Sequence, residues 1–209
     1  MTEKYKALVL GASGLVGKAL VNQLCQDERY SQITCLVRSP LSQSQYLDPL
    51  NKIQAIVIDF DELQDYQGYF LVEHVYCCLG STIKQAGSQS NFRKVDFQLV
   101  HVAAQLTRAQ RANSFVWISS VGANAKSKSF YLKVKGELEN AILSMPQLAN
   151  AAAVRPSLLL GERADKRTGE SMGIAFAKAL SPIMVGPLAK YRPVNANQVA
   201  YQMIKLQVF

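Results

Sequence analysis

The amino-acid sequence predicts an α/β fold, in which helices cover both faces of a doubly wound parallel sheet. Apolar stretches of strand length alternate with helical stretches that carry one apolar face, and this alternation is typical of parallel sheets. Glycines and polar residues follow the predicted strands where each strand ends, as expected for a ligand crevice at one edge of the sheet. The 209 residues suffice for one hydrophobic core and no linker or repeat divides them, so we expect a single domain over residues 1–209.

The first strand is predicted at residues 5–10 and the first helix at residues 15–27. Three glycines lie at their junction with the spacing G-x-x-G-x-x-G, one residue wider at the start than the dinucleotide fingerprint G-x-G-x-x-G. Free N–H groups and the helix dipole at such a turn attract phosphate. An ordinary strand–helix turn has the same pattern, but the position at the start of a βαβ-like segment favours a nucleotide site. The expected contacts are Gly11, Ser13, Gly14, Leu15, Val16 and Gly17.

The remaining elements follow from hydrophobic periodicity and from the positions of glycine and proline. Further strands are predicted at residues 33–37, 53–58, 73–79, 114–118 and 151–160, the last interrupted near Arg155 and Pro156. Helices are predicted at residues 62–70, 91–112, 130–143, 171–179 and 196–206, and loops at 41–52 and 83–90. Residues 161–190 are expected to form a small C-terminal substrate lobe. The strand ends bring Arg38, Asp59, Gly80, Ser119 and Ser120 toward one crevice.

Composition excludes several classes of function. The net charge is +8, but the basic residues are scattered along the chain, which disfavours nucleic-acid binding and suits an anionic cofactor. The four cysteines have no metal-ligand spacing and are expected to be buried in a reducing compartment. No apolar run approaches the roughly 20 residues of a membrane helix, and the N-terminus has no signal-peptide pattern. We therefore expect a cytoplasmic protein that does not enter a membrane.

The end of the second strand indicates which dinucleotide is bound. NAD sites usually have an acidic residue about 20 residues after the glycine turn. This chain has Arg38 and Ser39 there instead, which can bind a ribose 2′-phosphate, so NADP is favoured over NAD. The alternative is that Arg38 only solvates the strand end. Asp59 could accept a hydrogen bond from the adenine amino group or cap the helix that follows, and its neighbour Phe60 belongs to the same expected contact.

Tyr131 and Lys135 are candidates for the reactive end of the site. Four residues apart on a helix, they share one face, and a lysine ammonium lowers the pKa of a nearby phenol. Ser119 or Ser120 could bind a carbonyl oxygen of the substrate. Taken alone, a tyrosine–lysine pair at this spacing is usually just part of an amphipathic helix surface, and the glycine turn and the strand-end serines favour the catalytic interpretation.

The ordered set of motifs resembles a known family, the atypical short-chain dehydrogenases/reductases. The resemblance rests on the glycine turn, Asp59, the Ser119-Ser120 pair, Tyr131-x-x-x-Lys135 and Arg155-Pro156, and it covers nearly the whole chain. Within that family the sequence is most similar to the Tat-interacting, importin-binding oxidoreductase-like branch. The residues shared with the branch are Cys77–Thr82, Ala86-Gly87, Val95-Asp96 and Tyr131–Glu137.

The resemblance implies a Rossmann-like NAD(P)-binding fold and assigns roles to residues. Tyr131 would be the general acid/base, Lys135 would lower its pKa and hold the nicotinamide ribose, and Ser120, or its neighbour Ser119, would orient the substrate carbonyl. The nicotinamide end would be contacted by Leu79, Gly80, Pro156, Ser157 and Leu158. The interval from Ser120 to Tyr131 is shorter than is usual in the superfamily.

Two functions remain open, beside a third and less favoured one, a Rossmann protein associated with RNA or DNA, which only the charge of +8 suggests. The first is an NADP-dependent oxidoreductase acting on a small carbonyl or hydroxyl substrate that the sequence does not identify. The second is an NADP(H)-binding regulatory or protein-interaction module with little or no turnover, because members of the branch bind other proteins.

Overall fold

A parallel sheet of six strands forms the centre of the molecule. The computed structural model describes residues 4–148, 150–157, 159–160 and 194–209. The six strands are β1 Tyr5–Leu10, β2 Tyr30–Val37, β3 Ile53–Val57, β4 His74–Cys77, β5 Ser114–Ile118 and β6 Ala151–Val154. Their order is β3-β2-β1-β4-β5-β6 and every pairing is parallel. The predicted doubly wound sheet is confirmed, and the order reverses between β1 and β4, where such folds bind their ligands.

Helices cover both faces of this sheet. They are α1 Leu15–Gln26, α2 Ile83–Ala86, α3 Gln89–Arg93, α4 Val100–Ala109, α5 Phe130–Leu143 and α6 Ala196–Lys205. A π-helical segment, Lys94–Leu99, joins α3 to α4, and a 3₁₀ segment, Phe60–Phe70, follows β3. A 3₁₀ turn lies at Gln43–Gln45.

Alternate residues of the strands belong to two separate apolar layers. Ala7 and Val9 of β1 lie in the layer with α1 and α6, whereas Leu8 and Leu10 lie in the layer with α4, α5 and the 3₁₀ segment. This two-residue period follows from the pleat of a strand. Because helices cover both layers, all four of these side chains are fully buried.

The connection between β4 and α4 departs from the prediction. Residues 83–90 were expected to be a loop, but α2 and the start of α3 lie there. The hydroxyl of Thr82 accepts a hydrogen bond from the N–H of Gln85, and Ser88 accepts one from Asn91. These serine and threonine caps begin the two short helices. From sequence, the segment had been recognised only as polar, and a loop was predicted there. The predicted helix at 91–112 begins earlier, at Gln89, and ends at Ala109.

The predicted sixth strand at 151–160 is divided in two. β6 ends at Val154, and β7 Leu159–Leu160 pairs instead with β8 Val194–Asn195 in a second, two-stranded sheet. Pro156 has no N–H group for the ladder, which explains why pairing with β5 stops. The predicted helix at 171–179 and the whole of the predicted substrate lobe at 161–190 lie outside the described residues. Across the described ranges, no helix has the length and apolar character required to cross a membrane.

A buried polar network ties the C-terminal residues to the side of the sheet where the strands begin, opposite their carboxyl ends. His74 Nε2 lies 2.8 Å from the carbonyl oxygen of Val208, which can only accept, so His74 donates there. Burial lowers the pKa of His74, which favours the neutral imidazole. In that form Nδ1 accepts from the hydroxyl of Tyr30 (2.7 Å), which in turn accepts from that of Tyr76 (2.8 Å).

This network predicts acid sensitivity of the fold. The pKa of His74 is lower in the folded than in the unfolded chain, so the stabilisation is complete above about pH 6.5 and is lost as the pH falls below it. We expect the free energy of unfolding to fall by at most about 1.4 kcal/mol per pH unit between pH 6.5 and 5. In urea titrations, His74→Gln should flatten this dependence.

His101→Gln is the comparison variant: burial and Arg108 lower the pKa of His101 as well, so this change removes only the part of the pH dependence that comes from His101, on α4 outside the network, and leaves the part that comes from His74. A His74→Gln variant whose stability still falls as steeply as that of the starting protein would contradict the assignment.

Candidate cofactor and catalytic site

The glycine turn between β1 and α1 is packed without space for side chains. Gly11 has φ of +80°, and a β-carbon on it would lie 2.7 Å from the carbonyl carbon of Cys78. A β-carbon on Gly17 would lie 2.1 Å from the carbonyl oxygen of Gly11. Glycine at these two positions therefore lets α1 and β4 both approach the turn closely.

The N-terminus of α1 is open toward the crevice. Gly14 is the N-cap residue and no side chain caps the helix. The N–H groups of Leu15, Val16 and Gly17 have no partner within the helix, by the geometry of a first turn. Ser13 and Gly14 are exposed beside them. An uncapped helix end with close backbone approach is what a pyrophosphate group requires, so these residues fit a dinucleotide.

Tyr46 holds the glycine turn through a hydrogen bond to its backbone. Its side chain is buried, and its hydroxyl donates to the carbonyl oxygen of Ala12 at 3.2 Å. Burial raises the pKa of this phenol to about 12, so it remains a donor. The same segment is held to α1 by the N–H of Leu47, which donates to Asn22 Oδ1. The residues after β2 and the phosphate turn thus form one connected unit.

Arg38 and Ser39 are both exposed directly after β2. The next acidic residue, Asp48, is not available to a ribose, because its two oxygens accept from the N–H groups of Lys52 and Ile53. Asp59, after β3, caps the 3₁₀ segment: its Oδ1 accepts from the N–H of Asp61 at 2.9 Å. The capping interpretation of Asp59 is therefore observed, and the adjacent Phe60 is buried.

Lys135 is held in a buried polar cluster at the ends of β4 and β5. Its Nζ lies 2.8 Å from Asp96 Oδ1 in an ion pair whose two side chains are 3% and 0% exposed. Nζ also donates to the carbonyl oxygen of Ile118 at 3.3 Å. Asp96 Oδ2 accepts from the N–H of Ser81 at 2.8 Å. Burial raises the pKa of Asp96, and Lys135 and the Ser81 N–H oppose that rise.

Tyr131 and the two serines lie near this cluster in different environments. Tyr131, one turn before Lys135, is half-buried and its ring packs against Phe92 with centroids 5.5 Å apart. Ser120 is partly exposed and its hydroxyl donates weakly to the carbonyl oxygen of Val121 at 3.4 Å. Ser119 is buried, and its hydroxyl has no hydrogen-bond partner among the described residues. Of the two serines, Ser120 is therefore the more accessible from the crevice.

The short interval between Ser120 and Tyr131 is accommodated by a glycine on α5. A β-carbon on Gly136 would lie 2.3 Å from backbone atoms of both Asn124 and Ala125. The N–H of Asn124 donates to the carbonyl oxygen of Leu132 at 3.0 Å. The loop between β5 and α5 therefore lies directly on α5, so the few residues between Ser120 and Tyr131 are enough to join the strand to the helix.

A second ion pair fixes the end of β6 to α5. Arg155 binds Glu139 through two hydrogen bonds, at 2.8 Å and 2.5 Å, and the Glu139 side chain is buried. The carbonyl oxygen of Pro156 accepts from the N–H of Val121 at 3.0 Å. Leu79 and Gly80 follow β4 at the neighbouring strand end. Leu158, also expected to contact the nicotinamide end, lies outside the described residues.

Two of these functional positions escaped the residue-by-residue interpretation of the sequence. Asp96 was noted only as part of a shared motif, although a carboxylate on the apolar face that includes Phe92 and Leu99 is itself a sign of a buried partner. Gly136 follows Lys135 within a helical pattern, where glycine is unfavourable unless close packing requires it.

We expect Gly136→Ala to destabilise the chain by about 1–3 kcal/mol or more, because a methyl group there overlaps backbone of the 121–129 loop. Gly68→Ala is the matched control: nothing lies within 4 Å of its β-carbon position, so the change should stay within about 0.5 kcal/mol. Urea unfolding measures both. Equal stabilities of the two variants would refute the close packing at Gly136.

Comparison with known proteins identifies the family. The pattern of the NAD(P)H-binding family matches residues 11–159. Protein HTATIP2 of Rattus norvegicus is 33% identical over 179 residues, which are 85% of this chain and 72% of that protein. The mitochondrial protein FMP52-1 of Scheffersomyces stipitis is 33% identical over 162 residues, covering 75% of this chain and 68% of the relative.

Solved structures share the fold at low sequence identity. MoeE5 in complex with UDP-glucose and NAD superposes with a TM-score of 0.69 at 15% identity, covering 97% of this chain and 71% of that one. UDP-glucose 4-epimerase of Thermotoga maritima, with UDP-glucose, gives a TM-score of 0.70 at 15% identity, covering 95% and 72%. At such identity the likeness concerns the fold alone.

The expectation of a cytoplasmic protein is contradicted by the relatives. Yeast proteins that match this chain over most of its length are named as mitochondrial, in Scheffersomyces stipitis, Debaryomyces hansenii and Candida albicans.

The resemblance drawn from the motifs is confirmed, and the nicotinamide-dinucleotide site follows from the matched family. The chain belongs to the NAD(P)H-binding family and, within it, is an atypical short-chain dehydrogenase/reductase-like relative of HTATIP2.

Proposed function

We propose that the protein is an NADP-dependent oxidoreductase that acts on a small carbonyl or hydroxyl substrate. The proposal rests on the buried ammonium of Lys135, which forms an ion pair with Asp96. Lys135 lies one turn after Tyr131 on α5, and its ammonium is near Gly80 at the strand ends. A buried charge is costly unless it is paired, and such groups concentrate at functional sites.

The residues around the crevice would hold the cofactor at three points. The N–H groups at the start of α1, with Gly11, Ser13 and Gly14, would bind the pyrophosphate. Arg38 and Ser39 would bind the ribose 2′-phosphate, since no carboxylate there repels it. The remaining contacts would be made by Asp59 and Phe60 at the adenine and by Leu79, Gly80, Ser119, Pro156 and Leu158 at the nicotinamide end.

When bound, the nicotinamide ring supplies the hydride that is exchanged with the substrate carbon. The hydroxyl of Tyr131 would give the carbonyl oxygen its proton during reduction and take it back during oxidation. The Lys135 ammonium would stabilise the phenolate and donate to the nicotinamide ribose. Ser120 is the better candidate for orienting the substrate carbonyl, because its hydroxyl is partly exposed and only weakly bonded.

The second candidate is an NADP(H)-binding regulatory or protein-interaction module with little or no turnover. The ion pair fits this candidate as well, since a module that never turns over would also retain a buried Asp96–Lys135 pair for its structure. The resemblance to a branch whose members bind other proteins points the same way. Catalytic measurements distinguish the two candidates.

Arg38→Ala should weaken NADPH binding about 10- to 100-fold, the cost of one charge-assisted hydrogen bond to phosphate, and change NADH binding less than about twofold. Nucleotide fluorescence titration measures both affinities. Lys205→Ala, which removes an equal charge from the exposed end of α6, is the control for nonspecific attraction. If the starting protein bound NADH as tightly as NADPH, the assignment of NADP would be wrong.

Tyr131→Phe should lower turnover of a responsive carbonyl substrate at least about 100-fold while leaving NADPH affinity within about twofold, because only the transferred proton is lost. NADPH oxidation over a panel of aldehydes and ketones measures turnover, and Tyr201→Phe on the exposed face of α6 is the control. Tight NADPH binding without turnover of any panel member would favour the regulatory module.

A further inference from the structure

Asp96 combines complete burial, an ion pair and an unusual backbone conformation. The side chain is fully buried, and it lies in the π-helical segment Lys94–Leu99 between α3 and α4. Interruptions of this type inside helices are rare and concentrate at functional sites.

The two oxygens of Asp96 connect separate parts of the candidate site. Oδ1 contacts the Lys135 ammonium on α5 at 2.8 Å, and Oδ2 accepts from the N–H of Ser81, after β4, at 2.8 Å. A β-carbon on Gly80 would lie 3.4 Å from Asp96 Oδ1 and 3.8 Å from Lys135 Nζ. The ion pair is therefore directly behind the residue expected to line the nicotinamide end.

The ammonium of Lys135 has three N–H groups, and two of its directions are occupied by Asp96 and by the carbonyl oxygen of Ile118. If the proposed function holds, the third N–H would donate to the nicotinamide ribose. Its direction would be fixed only as long as Asp96 and the Ile118 carbonyl hold the ammonium.

We propose that Asp96 is a positioning residue of the cofactor site: it is the counter-ion of Lys135 and fixes both the ammonium and the Ser81 turn for the nicotinamide ribose. The part that concerns the ribose rests on the proposed function, whereas the counter-ion role concerns the chain alone.

Asp96→Asn removes the negative charge of the side chain and keeps its shape. The amide can still accept from the Ser81 N–H, but the buried ammonium loses its counter-ion, and a buried unpaired lysine has a lowered pKa. Within the described part of the chain, the Cys77 thiol on β4 interacts electrostatically with both partners, and the Tyr131 phenol lies one turn before Lys135 on α5. Burial raises the pKa of Cys77 to about 12, so the thiol stays neutral at the pH values used. Glu137, also on α5, binds Arg93 and Lys133 instead.

The test measures NADPH affinity by fluorescence from pH 7 to 9 in a Tyr131→Phe background, which removes the phenol. We expect affinity to be constant with pH in that background and to fall about tenfold between pH 7 and 9 once Asp96→Asn is added. Addition of Lys135→Met to Asp96→Asn should give weak affinity that no longer depends on pH. Affinity lowered by the same factor at every pH, or not lowered at all, would overturn the proposal.

A second readout uses the protein without nucleotide. With ¹³C- and ¹⁵N-labelled lysine, the Lys135 side-chain signal, assigned by its loss in Lys135→Met, should titrate at lower pH in Asp96→Asn than in the starting protein. An unchanged titration overturns the counter-ion role. If neither NADPH nor NADH binds the starting protein, the proposed function fails, and this titration alone decides on Asp96.

The double variant covers the case in which Asp96→Asn does not fold. Asp96→Asn with Lys135→Met leaves no uncompensated charge, so its recovery of a cooperative thermal transition supports the pairing. A double variant that is as unfolded as the single one overturns it.

Discussion

Two helices in this protein lie against backbone where no β-carbon could be accommodated, and the site depends on that constraint. α1 meets the turn after β1 at Gly17, and α5 meets the loop after β5 at Gly136. The first contact directs an open helix N-terminus toward the strand ends. The second holds Tyr131 and Lys135 close to the loop that contains Ser120. Both contacts are made by backbone, so neither the glycine turn nor α5 can move without disturbing the sheet.

The ion pairs around α5 fix the position of the helix more than they add to the free energy of unfolding. A buried ion pair such as Asp96 and Lys135 gains little net free energy, because desolvation offsets the attraction, but the loss of one partner leaves an isolated buried charge. Glu139 and Arg155 fix the end of β6 to the same helix. These pairs therefore specify where α5 lies. The hydrogen-bonded network of Tyr30, His74 and Tyr76 belongs to the opposite edge of the sheet and concerns stability.

Much of the fold could be predicted from sequence because its signals are local. Buried strands and amphipathic helices differ in periodicity, and the glycine spacing marks the turn at Gly11. The departures arose where the deciding interaction was a single hydrogen bond or its loss. Thr82 and Ser88 cap two short helices in a segment whose polar composition had predicted a loop. Pro156 lies just after the end of β6, within an apolar run that had predicted a longer strand.

The candidate site was predicted residue by residue, but its connections were not. Tyr131 and Lys135 are recognisable from their spacing, whereas the partner of Lys135 is 39 positions away in sequence, at Asp96, and only the fold brings them together. Ser119 and Ser120 could not be distinguished from sequence, because the two residues differ in burial and not in chemistry. For Asp59 two roles were predicted: its hydrogen bond to Asp61 shows the cap, and the adenine contact stays a proposal.

In the proposed complex, one crevice binds NADP with its phosphates on α1 and its nicotinamide beside Lys135. A crystal structure of the protein with NADP tests this most directly. We expect pyrophosphate oxygens on the N–H groups of Leu15 and Val16, the 2′-phosphate on Arg38, and the nicotinamide ribose within hydrogen-bond distance of Lys135 Nζ while Asp96 remains paired. A nucleotide bound elsewhere, or a Lys135 that leaves Asp96 and points away from the ribose, would contradict it.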